Sequence, residues 1–400
     1  MAYCQIQKGI LVRVLLAIWA DPAMYLATTF TAQSLSEHGI CVDLIYRKPN
    51  SNLNVAGDVK FGARACMRPV GGGHTGWLDK IDYVKFIIKS VRVTRREKPD
   101  AIIGYNTLGF VAAFIASKVS PKSKLIYHNF DFDISTKGLG LLGRLLKRVE
   151  LFAARSAYIT IFPAPERAAK YRGMARLSSA PLSVLNCFPR SWAQQKTGEL
   201  HALLKSKNLC FDKLVVHLGS IDPFHGIEAT IRSVLQWNGN WGLIVAGFSN
   251  GSYLEEMQKL VSDLGLLNRV IFLPSVSNSL WYDCLYSAHL GICLYEPCNL
   301  SHAYMAGTSQ KLNNYLVAGI PSIVSNSPDF ISFVEKYKTS KVAEATDPIS
   351  ISQAVNSFLY NPEEYAEYCQ AVKKAFESEF NFEKQFEPIL SRLVDAQHDR

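Results

Sequence analysis

Short apolar runs alternate with stretches of helical periodicity along most of the chain. Apolar runs bounded by Gly, Pro or polar residues predict buried strands, and apolar residues three and four apart predict amphipathic helices. In the first half, the predicted strands are 11–18, 41–46, 101–103, 125–127 and 159–162, and the predicted helices are 24–38, 81–97, 109–118 and 139–155. Alternation of this kind is typical of a parallel α/β sheet.

The pattern fades over residues 181–207, where Pro, Ser and Gln gather, and then starts again. In the second half, the predicted strands are 213–218, 242–246, 270–273, 290–294 and 322–324, and the predicted helices are 227–236, 252–264, 279–287 and 310–318. We therefore predict an α/β protein with two Rossmann-like domains in series. Such sheets bind ligands at the carboxyl ends of their strands, so the two domains are expected to face each other across a shared cleft.

The composition agrees with two ordinary cores, because 400 residues exceed the usual size of one core and 48% of them are hydrophobic. The apolar run 9–20 is interrupted by Arg13 and followed by Asp21 and Pro22. It is too short to span a bilayer and is interpreted as the first strand of a cytoplasmic protein. The nine cysteines are scattered without a C-x-x-C pair. Neither a disulfide framework nor a metal site is therefore predicted.

Charge divides unevenly along the chain. Residues 1–200 carry 28 Lys and Arg against 13 Asp and Glu, a net +15, while residues 201–400 carry 15 against 21, a net −6, which together give the formal +9. A basic first half indicates an anionic partner. The chain lacks zinc-finger spacing, an RNP-like aromatic strand and a basic recognition helix, so nucleic acid is not expected. An anionic membrane surface or a phosphorylated acceptor fits better.

Glycines stand where predicted strands of the second half pass into helices. Gly219 ends one strand and Gly226 opens the next helix, Gly247 repeats the arrangement one strand later, and Val276 follows the third strand. A glycine at such a turn lets backbone N–H groups approach a phosphate, and the helix dipole adds to the attraction. Taken singly, each glycine is equally consistent with an ordinary turn between a strand and a helix.

Three blocks of the second half occur in a fixed order: VVHLGSIDPFHGIEATIRSV, LIVAGFSNGSYLEEMQKL and LYSAHLGICLYEPCNLSHAYMAGTSQKLNNYLVAGIPSIVSNSP. Together they resemble the donor-binding domain of GT-B glycosyltransferases, especially glycosyltransferase family 4 (group 1). The first half is similar more loosely, through REKPDAIIGYNTLGFVAAFIA and KLIYHNFDF. The resemblance implies an acceptor-side domain at 1–190, a donor-binding domain at 208–375 and a final helix, 376–400, that crosses back to the first domain.

The resemblance implies transfer of a sugar from a nucleotide-diphosphate sugar to a glycan or a polyprenyl-diphosphate-linked acceptor. It places this reaction in cell-surface polysaccharide biosynthesis at the inner face of the membrane, with retention of configuration and without a metal or other cofactor. Three alternatives stay open. They are an inverting, glucuronosyltransferase-like enzyme that uses an Asp base, a nucleotide-sugar epimerase, and a catalytically silent GT-B partner.

The chain departs from the family at the donor site. Ser220 and His225 occupy the positions at which the family carries Arg and Lys on the diphosphate, and Ala306 and Asn314 replace its two glutamates. A serine donates one hydrogen bond and a histidine is charged only when protonated, so this loop has weakened electrostatics.

Lys311 is the expected replacement, because it lies at the start of a predicted helix beside free backbone N–H groups. Ser309 and Gln310 precede it, and Asn314 shares its helix face and remains able to bind a ribose hydroxyl. A lysine that only extends to solvent is the structural alternative.

On the acceptor side, Asp131 and His128 follow a predicted strand, and Asp131 takes the position of a family glutamate. Asp131 is the candidate general base of an inverting reaction, whereas His128 has equally good structural and functional interpretations. The run 71–74 (GGGH) follows no predicted strand and lacks a Lys-Ser/Thr, so it is interpreted as a loop.

Residues 138–155 (GLGLLGRLLKRVELFAAR) predict a basic amphipathic helix. Its apolar stripe and the cations Arg144, Lys147 and Arg148 are suited to a membrane interface. The same pattern also fits a core-packed helix with a solvated basic side, and the charge of the first half favours the membrane.

Overall fold

The computed structural model describes residues 12–22, 25–48, 61–130, 140–192, 196–249, 251–298, 302 and 304–395. The chain divides into two compact units. Unit 1 consists of Met1–Leu185 and Gln385–Arg400, and unit 2 consists of Asn186–Lys384. Within the described residues, none of the helices has the length and apolar character needed to cross a bilayer.

Unit 1 is a parallel α/β sheet with helices on its faces. Its described elements are β1 (Arg13–Ile18), α1 (Leu26–Glu37), β2 (Cys41–Arg47), β3 (Ala65–Val70), α2 (Trp77–Glu97), β4 (Ala101–Tyr105), α3 (Asn106–Ser117), β5 (Lys124–His128), α4 (Leu141–Ala154), β6 (Ile159–Phe162), α5 (Pro165–Ala175) and β7 (Leu182–Ser183). The strands lie in the order β3-β2-β1-β4-β5-β6-β7 and every pair is parallel. Helix α3 packs against both α2 and α4.

Unit 2 repeats the architecture. Its described elements are α6 (Glu199–Ser206), β8 (Lys213–Leu218), α7 (Ile227–Ser233), β9 (Trp241–Gly247), α8 (Tyr253–Asp263), β10 (Val270–Pro274), α9 (Asn278–Ser287), β11 (Leu290–Cys293), α10 (Gln310–Ala318), β12 (Ser322–Ser325), α11 (Pro328–Tyr337), β13 (Ser340–Ala343), α12 (Pro348–Tyr360), α13 (Pro362–Ser378) and the first residues of α14 (Phe382–Asp395). The strand order is β10-β9-β8-β11-β12-β13, again with parallel pairs. The two predicted Rossmann-like halves are therefore confirmed.

The central strands have the composition that a doubly covered sheet requires. Strands β1, β4, β9 and β11 are almost continuously apolar and buried, because helices cover both faces of the sheet. The prediction missed β3 at the sheet edge, where only Val70 is buried. The loop 71–74 therefore follows a strand, contrary to expectation, and the Asp82 carboxylate accepts a hydrogen bond from Gly72 N at 3.2 Å.

Candidate active site

The carboxyl ends of β8 and β9 approach each other at two glycines. Gly219 has φ +152° and Gly247 has φ +146°, and a Cβ on Gly247 would lie 1.8 Å from Gly219 O. No residue with a side chain fits at Gly247 without displacing backbone. The two strand ends therefore meet closely at the edge where a parallel sheet binds its ligands.

Two histidines fix the loop that follows β8. The Ser220 carbonyl oxygen accepts hydrogen bonds from His217 Nε2 at 3.2 Å and from His225 Nδ1 at 2.9 Å. His225 Nδ1 also lies 3.0 Å from Asp222 Oδ2. Because a carbonyl oxygen only accepts, each of these ring nitrogens carries a hydrogen. The 3₁₀ turn Pro223–His225 begins where Asp222 accepts a hydrogen bond from Phe224 N.

Both rings are buried and uncharged at neutral pH. Burial and, to a smaller extent, the Lys311 ammonium lower the pKa of His225 to about 4. Burial likewise holds the pKa of His217 well below its ordinary value. Ser220, His217 and His225 therefore contribute hydrogen-bonding groups but no standing positive charge, as expected from the residues that replace the family cations.

The cation of the site is Lys311, on the first turn of α10. Lys311 is 4% exposed, and among the described residues its Nζ has no hydrogen-bond partner. The Nζ lies 4.2 Å from the centre of the Tyr295 ring, and the aliphatic chain packs against Gly219, whose Cβ position is 3.2 Å from Cγ and Cδ of Lys311. Burial lowers the pKa of Lys311 to about 8, so the ammonium is still mostly charged at pH 7. A buried ammonium without an anionic partner is costly, which makes this position suited to an anion.

Helix α10 is held by its own ends and by Tyr315. Ser309 caps it by accepting from Leu312 N, and Gly319 follows it in the left-handed region. Tyr315 Oη accepts from Leu218 N at 3.2 Å and lies 3.1 Å from Val216 O and 3.0 Å from Ile292 O. These contacts fix the helix on β8 and β11 and thereby fix Lys311 over Gly219.

The two adjacent asparagines of α10 have different surroundings. Asn313 Nδ2 donates to the carbonyl oxygen of Asn186 at 2.7 Å, which attaches the start of unit 2 to this helix. Asn314 is also buried, at 5% exposure, on the same helix face as Lys311.

Ala306 occupies the position of the other missing family glutamate, and its backbone contacts the carboxylate of Asp329. Asp329 Oδ2 accepts from Met305 N at 2.7 Å and from Ala306 N at 2.9 Å. Asp329 belongs to the first turn of α11. The backbone N–H groups of this loop are therefore satisfied by the protein itself, which the sequence did not indicate.

The remaining predicted donor residues lie around this centre in unit 2. Gly226 adopts φ +62° where a Cβ would come 2.8 Å from Ala345 O. Val276 is half-buried after β10, and Gln310 is exposed at the start of α10. Their assignment to the donor site stays a prediction.

In unit 1, His128 ends β5 in an aromatic environment. Its ring lies 5.3 Å from that of Tyr105 and 4.6 Å from that of Phe130, and burial lowers its pKa to about 3. Among the described residues, His128 Nε2 has no hydrogen-bond partner. The backbone N–H of Phe130 is fixed by Asn106 Oδ1 at 2.8 Å. Asp131 lies outside the described residues, so its role as a base stays a prediction.

Helix α4 places Lys147, one of its three predicted outer cations, inside unit 1. Glu150 is fully buried and accepts from Lys147 Nζ at 2.9 Å, Thr107 Oγ1 at 2.6 Å, Tyr127 Oη at 2.9 Å and Tyr171 Oη at 2.8 Å. Lys147 is therefore an internal ion-pair partner, which corrects its assignment to the basic outer side. The exposed side combines Arg144 and Arg148 with apolar residues, which are Leu141, Leu142, Leu145 and Phe152.

Comparisons with known proteins identify this arrangement. Residues 205–375, the part that contains Gly219, Gly247 and Lys311, match the family described as Glycosyl transferases group 1. The chain has the GT-B fold, and unit 2 carries the region that matches group 1 glycosyl transferases. No curated protein sequence matches this chain closely enough to count as a relative.

Solved structures share the fold of this chain at low identity. HepE from Anabaena, in complex with UDP and glucose, is 15% identical with a TM-score of 0.71, and the match covers 96% of this chain and 100% of HepE. A glycosyltransferase from Rickettsia africae is 9% identical with a TM-score of 0.72, covering 98% and 100% of the two chains. WaaG, a glycosyltransferase involved in lipopolysaccharide biosynthesis, is 14% identical with a TM-score of 0.58, covering 94% and 98%.

Proposed function

We propose that this protein moves a sugar from a nucleotide-diphosphate sugar to a glycan or lipid-linked acceptor in cell-surface polysaccharide biosynthesis, with retention of configuration. The observation that carries the proposal is the buried ammonium of Lys311. It lies against the backbone of Gly219 and has no hydrogen-bond partner in the part of the chain that the structure describes. The diphosphate of the donor supplies the anion that this ammonium lacks. Ser220, His225 and the start of α10 complete the proposed diphosphate site, and Asn314 is assigned to the ribose.

The names of similar structures support a nucleotide-sugar donor and a polysaccharide pathway. HepE has been solved with UDP-glucose, and WaaG acts in lipopolysaccharide biosynthesis. A uridine nucleotide is therefore the first donor to test. Neither similarity determines the transferred sugar, because an identity of 14% carries the fold alone.

The experiment is calorimetry with UDP-, GDP- and dTDP-sugars, followed by transfer assays with the donor that binds. We expect one nucleotide class to bind wild type, and we expect Lys311→Ala to abolish binding while His225→Ala only weakens it. Equal, small effects of the two substitutions would show that the diphosphate lies elsewhere. Binding without transfer to any glycan or lipid-linked acceptor would favour the silent-partner alternative. The anomeric configuration of a product decides between retention and inversion.

We also propose that unit 1 lies on an anionic membrane surface through the outer sides of α2 and α4. Leu141 is 86% exposed and Trp77 is 69% exposed. Exposed apolar residues of α2 recur three and four apart along one side, at Trp77, Ile81, Val84 and Ile88. Exposed cations flank these apolar residues, at Lys80, Arg92, Arg144 and Arg148. An apolar side with a basic rim is the arrangement that binds anionic lipid interfaces.

Vesicle sedimentation tests this surface. We expect wild type to bind vesicles that contain phosphatidylglycerol and to bind neutral phosphatidylcholine vesicles weakly. Removing two charges by Arg144→Gln and Arg148→Gln should weaken binding about thirtyfold at low salt, at roughly 1 kcal/mol per cation. The matched control removes two exposed cations from another part of unit 1, with Arg172→Gln and Arg176→Gln. Equal losses in both double variants would indicate a non-specific charge effect and contradict the assigned surface.

A further inference from the structure

His225 is placed so that an anion bound at Lys311 changes its protonation. The imidazole is 8% exposed and lies in the loop between β8 and α7, next to the cation of the site. Its Nδ1–H donates to Ser220 O and lies within hydrogen-bond distance of Asp222 Oδ2, as described above. The ring has one further nitrogen, Nε2, which accepts a hydrogen bond when the ring is neutral and donates one when it is protonated.

The groups that face His225 explain why it is neutral in the free protein. The Lys311 ammonium faces His225 from α10, and the His217 ring faces it from β8, with the two ring centres 6.1 Å apart. In the segment after β11, the ring centres of Tyr295 and His302 lie 5.1 Å and 5.7 Å from that of His225. Asp222 is the acidic group among these described neighbours. The free site therefore contains more potential cations than anions, and burial together with Lys311 disfavours a second positive charge.

We propose that binding of the donor diphosphate takes up a proton at His225, which then becomes the second cation on the phosphates. This inference rests on the proposed donor site. A phosphate charge beside Lys311 replaces a repulsive environment with an attractive one for an imidazolium. The proton comes from solvent, no covalent bond forms or breaks, and the histidine acquires the charge that the family carries permanently at this position.

The attraction between a phosphate charge and an imidazolium is large enough to protonate His225 near neutral pH. One unit charge at about 4 Å and an effective dielectric constant of about 20 shifts a pKa by about three units. Starting from about 4 in the free protein, the pKa of His225 would reach about 7 with one such charge and a higher value with two. Donor affinity should consequently fall as the pH rises from about 4 toward the pKa of His225 in the complex, by up to tenfold per pH unit for one proton, and should level off above that pKa.

The test is calorimetry with UDP-glucose at pH 7 in buffers of different ionisation enthalpy, which counts protons taken up on binding. UDP-glucose is chosen because its diphosphate is esterified at both ends and does not titrate near neutral pH. We expect uptake of between about half a proton and one proton by wild type. Uptake should fall to the roughly 0.1 proton that Lys311 still takes up at pH 7 in His225→Gln, which keeps a hydrogen-bonding amide, and in His225→Arg, whose charge is permanent. His302→Gln is the matched control and should retain the uptake.

The possible results separate this inference from the donor-site proposal. Binding with proton uptake that is lost only in the His225 variants supports both. Binding without uptake, or uptake unchanged in His225→Gln, overturns the inference and leaves the donor site in place. If UDP-glucose does not bind, the same experiment is run with GDP- and dTDP-sugars, and no binding of any of them overturns both. A Kd that rises with pH in wild type but stays constant in His225→Arg between pH 6 and pH 7 is the second expected readout.

Discussion

Replacing Lys311 by methionine should make the protein more stable and unable to bind its donor. Methionine keeps the aliphatic packing against Gly219 and removes the buried charge. Burial lowers the pKa of Lys311 from 10.5 to about 8, and this difference of roughly 2.5 units corresponds to about 3 kcal/mol at pH 7. Lys311→Met should therefore raise the free energy of unfolding of unit 2 by about 3 kcal/mol, within the range known for replacement of buried charges by apolar residues.

The stability gain of Lys311→Met depends on pH, because burial lowers the pKa of the Lys311 ammonium. The unfolded chain holds the Lys311 proton up to about pH 10.5 and the folded protein loses it above about pH 8, so wild type gains stability relative to the variant between these values. The difference between the two proteins should shrink to about 1.5 kcal/mol at pH 9.5. Urea unfolding at pH 7 and pH 9.5 measures both quantities, and calorimetry with UDP-glucose measures the loss of binding.

A second lysine of unit 2 provides the control. Lys341 Nζ is partnered by Glu364 Oε1 at 2.8 Å and Ser357 Oγ at 2.9 Å, so Lys341→Met should lower stability. If Lys311→Met is less stable than wild type, or if its stability relative to wild type does not change with pH, the buried ammonium does not destabilise the fold. If the variant still binds the donor with wild-type affinity, the diphosphate does not depend on this lysine.

Three further substitutions test the supports of the two units by urea unfolding. Gly247→Ala places a methyl group 1.8 Å from Gly219 O and should cost about 3 kcal/mol or more and abolish donor binding. Tyr315→Phe removes the partner of buried backbone groups of β8 and β11 and should cost about 1–3 kcal/mol. Glu150→Gln leaves the Lys147 ammonium buried without a carboxylate and should cost about 3–5 kcal/mol, much of which Lys147→Met should restore.

The glycine and tyrosine substitutions each have a neutral counterpart. Gly173→Ala adds a methyl group with no atom within 4 Å, and Tyr158→Phe changes an exposed ring, so both should stay near wild-type stability. An unchanged unfolding midpoint for Gly247→Ala would mean that the two strand ends separate easily. No recovery in the double variant at residues 147 and 150 would show that the tyrosine contacts of Glu150, rather than its charge, stabilise α4.

The sequence predicted α10 to the residue because every local signal agreed there. Ser309 is a capping residue, Gly319 supplies the left-handed end, and the apolar spacing is helical. The orientation of α4 was not predictable in the same way. An ion pair formed inside the protein by Lys147 and Glu150 looks like part of a basic outer side in the sequence, whereas the other two cations, Arg144 and Arg148, lie on the exposed side as the membrane interpretation expects.

Candidate site residues could be predicted where their position at the end of a strand or helix indicates their role. They could not be predicted where the role depends on which groups the side chain contacts. Gly219, Gly247 and Lys311 were identified from their places at strand and helix ends. His217 and Asp329 were missed because their roles come from backbone partners, Ser220 O and the N–H groups at 305–306, which the residue types do not reveal. A histidine within the apolar run VVHL was the one signal that could have indicated the first.

The hydrogen bond from Asn313 to Asn186 has a practical consequence for dissecting the protein. The group 1 match begins at residue 205, whereas unit 2 begins at Asn186. A fragment cut at the homology boundary would leave the Asn313 amide, two positions from Lys311 on the same helix, without its carbonyl partner. Anyone who wishes to isolate the donor half for titration or crystallisation should start the fragment ahead of Asn186, because the segment before the recognisable family region is part of the architecture of the binding helix.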